Sequence, residues 1–106
     1  MKKKIVYICS PYSGDTLLNM KKARRYSRLA VEAGTVPIAP HLLLPQFMSE
    51  ETEREISICM DLLIMERCDE VWVFGEKLSK GMVAEIAVAK EKGMKIRYFT
   101  EEMEER

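Results

Sequence analysis

Four short apolar runs, separated by segments of helical period, constrain the fold of this chain most. Ile5-Val6-Tyr7-Ile8-Cys9 is apolar throughout, the pattern of a strand buried on both faces. Val36-Pro37-Ile38-Ala39, Glu70-Val71-Trp72-Val73-Phe74 and Lys95-Ile96-Arg97-Tyr98-Phe99 read as three further strands. Pro37 places the second run at a sheet edge, because its ring nitrogen has no hydrogen to donate to a ladder. From Thr16 to Ala33 the period changes. Leu17, Met20, Ala23, Tyr26/Ser27 and Ala30 recur every three or four residues, and Lys21, Lys22, Arg24, Arg25 and Arg28 fill the other face. Asp15 or Thr16 caps this helix and Gly34 stops it. A second helix is expected over Glu51–Arg67, acidic in its first turn. A third is expected from Gly81 or Met82 to Lys92, ended by Gly93, and the acidic tail 101–106 reads as a further helical piece.

The order β-α-β-α-β-α-β predicts a single three-layer α/β domain spanning residues 1–106. Its mostly parallel sheet of four to five strands carries helices on both faces, in the flavodoxin/Rossmann-like manner. Ligands of such sheets bind at the carboxyl ends of the strands, near the switch in strand order. Three loops meet that description: Ser10–Asp15, Pro40–Phe47 and Gly75–Gly81.

Composition narrows the class of partner. The 106 residues include 17 Lys+Arg and 17 Asp+Glu, 47% of them are hydrophobic and 32% charged, which is the make-up of a folded domain. Zero net charge excludes a global field that would recruit a nucleic-acid polymer or an anionic membrane. The charge is nevertheless unevenly spread: residues 1–48 carry eight basic and two acidic side chains, net +6, and residues 49–106 carry nine and fifteen, net −6. No run approaches a membrane span, and Lys2-Lys3-Lys4 precedes too short an apolar stretch for a signal peptide. Cys9, Cys59 and Cys68 have neither disulfide nor zinc spacing, so they read as small core residues of a protein in the reducing cytoplasm.

Several residues carry possible chemistry, each beside a plainer structural explanation. Asp61 stands alone in the apolar stretch Ile58–Met65. On a helical projection it shares a stripe with Arg54 and Ser57, about 120° from the stripe of Glu55, Leu62 and Glu66. A helix laid on a sheet needs one solvent stripe, so the second either faces a cavity or merely widens the exposed face. Glu85 sits early in the third helix beside Met82, Val88 and Ala89; there it is either an ordinary first-turn carboxylate or one kept ionised in a half-apolar site. Ser79-Lys80-Gly81 opens that helix on free backbone N–H groups, as an ordinary loop or an anion site. It matches neither the P-loop nor the dinucleotide fingerprint. The lone His41 lacks metal-ligand companions in sequence and is read as structural or substrate-binding. Tyr7 and Tyr12 flank the exit of the first strand, as core or as a platform for a flat base.

Taken together these signals have a spacing. Asp61, Asp69 eight residues on, an apolar strand and then Ser79-x-Gly81-x-x-x-Glu85 resemble the nucleoside 2-deoxyribosyltransferase superfamily, which includes the 2′-deoxynucleoside 5′-phosphate N-hydrolases. Val6-Tyr7-Ile8-Cys9-Ser10-Pro11-Tyr12-Ser13-Gly14 and Pro37-Ile38-Ala39-Pro40-His41 look like the same superfamily, especially its small bacterial and phage relatives. The resemblance implies Glu85 as the nucleophile at C1′, Asp61 as the acid that protonates the departing base, and Tyr7 as the residue orienting the nucleophile. Ser79 and Gly81 would hold a 5′-hydroxyl or 5′-phosphate, and Ser10, Tyr12, Ser13, Gly14 and His41 would line the substrate site. Asp69 matches a position of the superfamily and equally suits a structural role at the start of the third strand. Where the phosphate-preferring hydrolases carry a first-loop arginine, this chain has Ser13, and the carboxy-terminal asparagine of the longer transferases has no counterpart.

The residue types suit the chemistry. Breaking an N-glycosidic bond passes through an oxocarbenium-like state, which asks one carboxylate to stabilise or bond C1′ and another to give the base a proton. The resemblance implies no metal and no organic cofactor, a nucleoside or nucleotide as small-molecule partner, and a homodimer or larger homo-oligomer, for which the second and third helices, with Met60, Met65 and Met82, offer a contact face. Two other functions fit the same residues: a module that binds a nucleotide or nucleotide-derived signal without turnover, and an α/β scaffold with no ligand.

Overall fold

The structure, a computed structural model, describes residues 3–106. Four strands, β1 (Ile5–Cys9), β2 (Val36–Ile38), β3 (Glu70–Phe74) and β4 (Lys95–Phe99), alternate with three helices, α1 (Thr16–Glu32), α2 (Arg54–Glu66) and α3 (Lys80–Glu91). All pairings are parallel, in the order β2-β1-β3-β4. Four strands form where four to five were expected, and Pro37 sits on the edge strand, where a missing donor costs no ladder bond. Register pairs Tyr7 with Ile38 on one side and with Val71 on the other. The order reverses between β1 and β3, so their carboxyl ends diverge into a crevice.

Strand alternation sends side chains to two separate cores. Tyr7, Cys9, Val71 and Val73 pack with Met65 of α2 and with Met82, Ile86 and Ala89 of α3. Val6, Ile8, Trp72, Phe74 and Phe99 pack with Tyr26 and Ala30 of α1. Helices therefore cover both faces, as the element order requires. Every residue of β3 is buried, including Glu70, whose carboxylate accepts from Lys4 Nζ at 2.8 Å and Trp72 Nε1 at 2.9 Å. No helix among the described residues is long and apolar enough to cross a membrane.

Local chemistry moves several expected boundaries. Asp15 caps α1, its carboxylate accepting from the Leu18 N–H at 3.1 Å. Leu17, expected on the apolar face, is 73% exposed in the first turn. α2 begins at Arg54, not Glu51, because Ser49 and Glu53 side chains accept from the Thr52 and Ser49 N–H groups and hold residues 49–53 in turns. The tail is not helical. Arg97 grips the Glu105 carboxylate with two hydrogen bonds, Glu105 bridges Phe99 in antiparallel fashion, and Met103 packs under the α1 side of the sheet. Cys9 and Cys68 are core residues as expected, whereas Cys59 is exposed on α2.

Candidate functional site

The three loops at the strand carboxyl ends, with α2, enclose a cavity of about 470 Å³. Ser10, Tyr12 and Ser13 line it from the loop after β1, and Pro40 and His41 from the 3-10 turn after β2. Ser79 and Gly81 come from the start of α3. Of the two possibilities for the stripe Arg54, Ser57 and Asp61, the structure takes the first: all three residues face the cavity. Glu85 closes its floor. Gly14 does not line the cavity; with φ of +96° it forms the turn before α1, a conformation that favours glycine. Tyr7 does not line it either, but stands behind Glu85.

Glu85 is 8% exposed and reaches back to the sheet. The Tyr7 hydroxyl donates to Glu85 Oε2 at 2.5 Å and the Cys9 thiol to Oε1 at 3.3 Å. Both donors lie on one face of β1, two residues apart, because strand side chains alternate. Glu85 is the sixth residue of α3, beyond the first turn in which the helix dipole acts, so the dipole cannot be what maintains its charge. Burial pushes the Glu85 carboxyl up from its ordinary value, and the hydrogen bonds from Tyr7 and Cys9 pull against that rise. The same burial, reinforced by the Glu85 charge, drives the Tyr7 hydroxyl and the Cys9 thiol well above their usual ranges, which leaves both as donors.

Asp61 has no such support. Its Oδ1 is buried without a hydrogen-bond partner, and burial, followed by the charges of Glu85 and Glu50, raises its carboxyl to about 7. His41 is half-buried beside the Tyr12 ring, 5.0 Å between centroids, and burial pulls its imidazole down to about 4. The neutral ring leaves Nδ1 buried and unpartnered. Ser10 Oγ is the third such atom. These three are the only buried side-chain polar atoms without partners among the described residues, and all three belong to residues lining one cavity. Buried polar groups are otherwise almost always paired, so a concentration of exceptions at one cavity singles it out as the candidate site.

Glu70 gives the contrast. It too is buried, yet Lys4 and Trp72 satisfy it, and their hydrogen bonds outweigh burial and hold its carboxyl below the ordinary value. Neither Asp61 nor Glu85 has an ion-pair partner among the described residues. His41, Asp61 and Glu85 each offer one ligand atom within 4.8 Å of the others, a donor set that could hold a divalent cation, although both Glu85 oxygens already accept hydrogen bonds.

The remaining sequence candidates divide between roles. Ser79 Oγ accepts from the Met82 N–H at 3.2 Å and so caps α3. Asp69 takes the structural option: its carboxylate accepts from the Ile5 N–H at 2.8 Å while its own N–H donates to the Ile5 carbonyl. Sequence reasoning overlooked the Cys9 thiol and the cavity residues Leu44, Met48 and Glu50. Leu44 and Met48 follow the second strand in an aperiodic loop, and no spacing rule marks them.

One solved structure, a 2-deoxyribosyltransferase from the psychrotolerant bacterium Bacillus psychrosaccharolyticus, superposes with a TM-score of 0.66 at 20% identity over 91% of this chain and 72% of that one. A 2-desoxiribosyltransferase from Leishmania mexicana gives 0.63 at 18% identity over 92% and 64%. This chain thus spans about two thirds to three quarters of the length of those proteins, and at such identities the likeness is one of fold. No curated protein is significantly similar in sequence. A sequence family described as "Domain of unknown function (DUF7768)" matches residues 4–99, nearly the whole chain. The chain belongs to that family, and its fold is that of the nucleoside deoxyribosyltransferases.

Proposed function

We propose that the protein cleaves or transfers the 2-deoxyribosyl N-glycosidic bond of deoxynucleosides or their 5′-monophosphates. Glu85 acts as nucleophile, Asp61 as general acid and Tyr7 as the residue that orients Glu85. The observation that carries this reading is the pairing of two dissimilar carboxyls at one cavity: Glu85 with two donors, Asp61 with none and raised to about 7. Donors to a carboxylate favour its charged form, and an unpartnered buried carboxyl favours its neutral form. Their separation, within 4.8 Å oxygen to oxygen, is near the roughly 5–5.5 Å at which retaining glycosidases hold an acid and a nucleophile.

In this reaction a Glu85 oxygen forms a bond to C1′ as the C1′–N bond breaks. The bonding pair leaves with the base, and the Asp61 proton neutralises it. Water, or a second base, then attacks C1′, returns a proton to the Asp61 carboxylate and frees Glu85. Tyr12 and His41 form a wall against which a flat base packs, and Ser10, Ser13, Ser79 and Gly81 face the sugar and its 5′ end. Leu44, Met48, Ile58 and Leu62 supply the apolar surface. The reading includes self-association. The expected contact face is revised, because Met65 and Met82 are buried in the core, and the exposed apolar stripe of α2 is Ile56, Met60 and Leu63.

Incubation with a panel of 2′-deoxynucleosides and their 5′-monophosphates, followed by chromatography for free base, tests the proposal. Release of base from at least one is expected; none from any, with the protein folded, rules the reaction out. Binding without turnover is the second reading, favoured by the burial of Glu85, which works against the charged form that its two donors support. It gives a ligand-induced rise in melting temperature with no base released.

A further inference from the structure

Tyr7 and Cys9 form a pair with respect to Glu85. β1 lies in the middle of the sheet, and its alternation sends both side chains toward α3, where each meets a different oxygen of one carboxylate. Cys9 is fully buried, and its thiol has Glu85 Oε1 as its hydrogen-bond partner. An isolated carboxylate rotates about its terminal torsion in a broad, two-fold well. A single donor from Tyr7 leaves that rotation hinged about Oε2; a second donor on Oε1 stops it.

We propose that Cys9 is a positioning residue for Glu85, its thiol holding Oε1 while Tyr7 holds Oε2, so that two donors of unequal strength fix the plane of the carboxylate at the cavity floor. The inference deepens the glycosidase reading and rests on it for its kinetic consequence, though not for its structural one. A thiol is a weak donor, so it orients the carboxylate without binding its lone pairs as tightly as a hydroxyl would. Phenol and thiol thereby divide the work: Tyr7 stabilises the anion, and Cys9 aims it while leaving Oε1 free to react. The other titratable groups facing Glu85 are Asp61 from α2 and His41 from the turn after β2. Glu50, Arg54 and Lys80 share the cavity wall.

The test compares Cys9→Ala and Cys9→Ser with the unaltered protein. Carbon-13 NMR of the carboxyl groups in the ligand-free protein, with Glu85 assigned through Glu85→Gln, follows its titration without reference to activity. In Cys9→Ala, loss of a donor to the charged form is expected to raise the proton affinity of Glu85 by about three- to tenfold, and Cys9→Ser is expected to restore or lower it. In base release, Cys9→Ala is expected to lose about three- to tenfold in kcat with KM unchanged, and Cys9→Ser to recover most of that. An unchanged Glu85 titration in folded Cys9→Ala overturns the proposal, as does an equal displacement by both variants, which marks a packing effect. Should Cys9→Ala fail to fold, Cys9→Ser decides alone: an unmoved or lowered titration, with kcat kept, supports the clamp, and a raised one overturns it. Absence of base release from the unaltered protein strikes the glycosidase reading, while the titration still decides whether Cys9 holds Glu85.

Discussion

The two faces of the sheet use the same strands for opposite ends. Toward α1, β1 and β3 present Val6, Ile8, Trp72 and Phe74, and the aromatic rings stack: Tyr26 on Phe74 at 4.2 Å and Phe74 on Phe99 at 4.8 Å. Toward α2 and α3 the same β1 presents Tyr7 and Cys9, both polar at their tips, and both spend that polarity on Glu85. One face is packed for stability. The other gives up part of its apolar uniformity to hold a carboxylate at the end of the crevice. A period of two lets one five-residue strand serve both, because neighbouring residues never compete for the same side.

The division can be broken at the site first. Glu85→Gln keeps the shape of the side chain and removes the proposed nucleophile, so base release is expected to fall by about 10⁴-fold. Thermal stability is expected to hold or rise, because a buried carboxylate no longer has to be desolvated. Retention of more than a tenth of the activity would place the chemistry on another residue. On the opposite face, Phe74→Ala empties the middle of the aromatic stack and is expected to cost about 3–5 kcal/mol in denaturant unfolding. Where the variant is still folded, its KM should stay near that of the unaltered protein; a changed KM would mean that the two faces are not separable.

A smaller and pH-dependent effect sharpens the comparison within the site. Asp61→Asn removes the proposed proton donor and is expected to lower kcat by about 100-fold. For the unaltered protein, activity should decline as pH rises through about 7, where Asp61 loses its proton, and the variant should lack this alkaline limb. The sign for stability is the same. An acid whose folded value is raised binds more protons folded than unfolded, so stability is full below its unfolded value near 4 and declines as pH rises through about 7. Asp61→Asn should therefore match the unaltered protein at pH 4 and exceed it at pH 8, by about 1–2 kcal/mol once solvent screening of the half-exposed carboxyl is discounted. Unfolding curves at the two pH values check it, and equal stability at pH 8 would show that Asp61 is ionised at no cost.

The uneven spread of charge along the chain has mundane outlets. Lys4 pairs with Glu70 and Lys22 with Glu101, so part of the basic amino-terminal half is matched across the fold by the acidic remainder. The two acids of the candidate site stand outside these pairs.

Much of this was legible along the chain. Strands β3 and β4 begin and end where their apolar runs do, and the period of α1 and the isolation of Asp61 on its helix need only geometry along one element. Helix starts were harder. Ser49 and Glu53 divert backbone donors into turns before α2, and Leu17, in the first turn of α1, is left exposed despite its place in the period. The tail escaped because its partner, Arg97, lies on β4 and not in the tail itself.

By itself the sequence determined the α/β alternation, the edge position of β2, and which loops would gather at the strand ends, since each follows from periodicity, proline chemistry and chirality acting locally. Only the tertiary structure decided the state of the carboxyls. Glu85 and Cys9 are 76 positions apart, and nothing along the chain reveals that a thiol joins the Tyr7 phenol on the second oxygen of one acid. Nor does it reveal that Ser10, His41 and Asp61 would be left facing one cavity unpartnered. Charge state depends on burial and on neighbours within a few ångströms, and those are properties of packing in three dimensions.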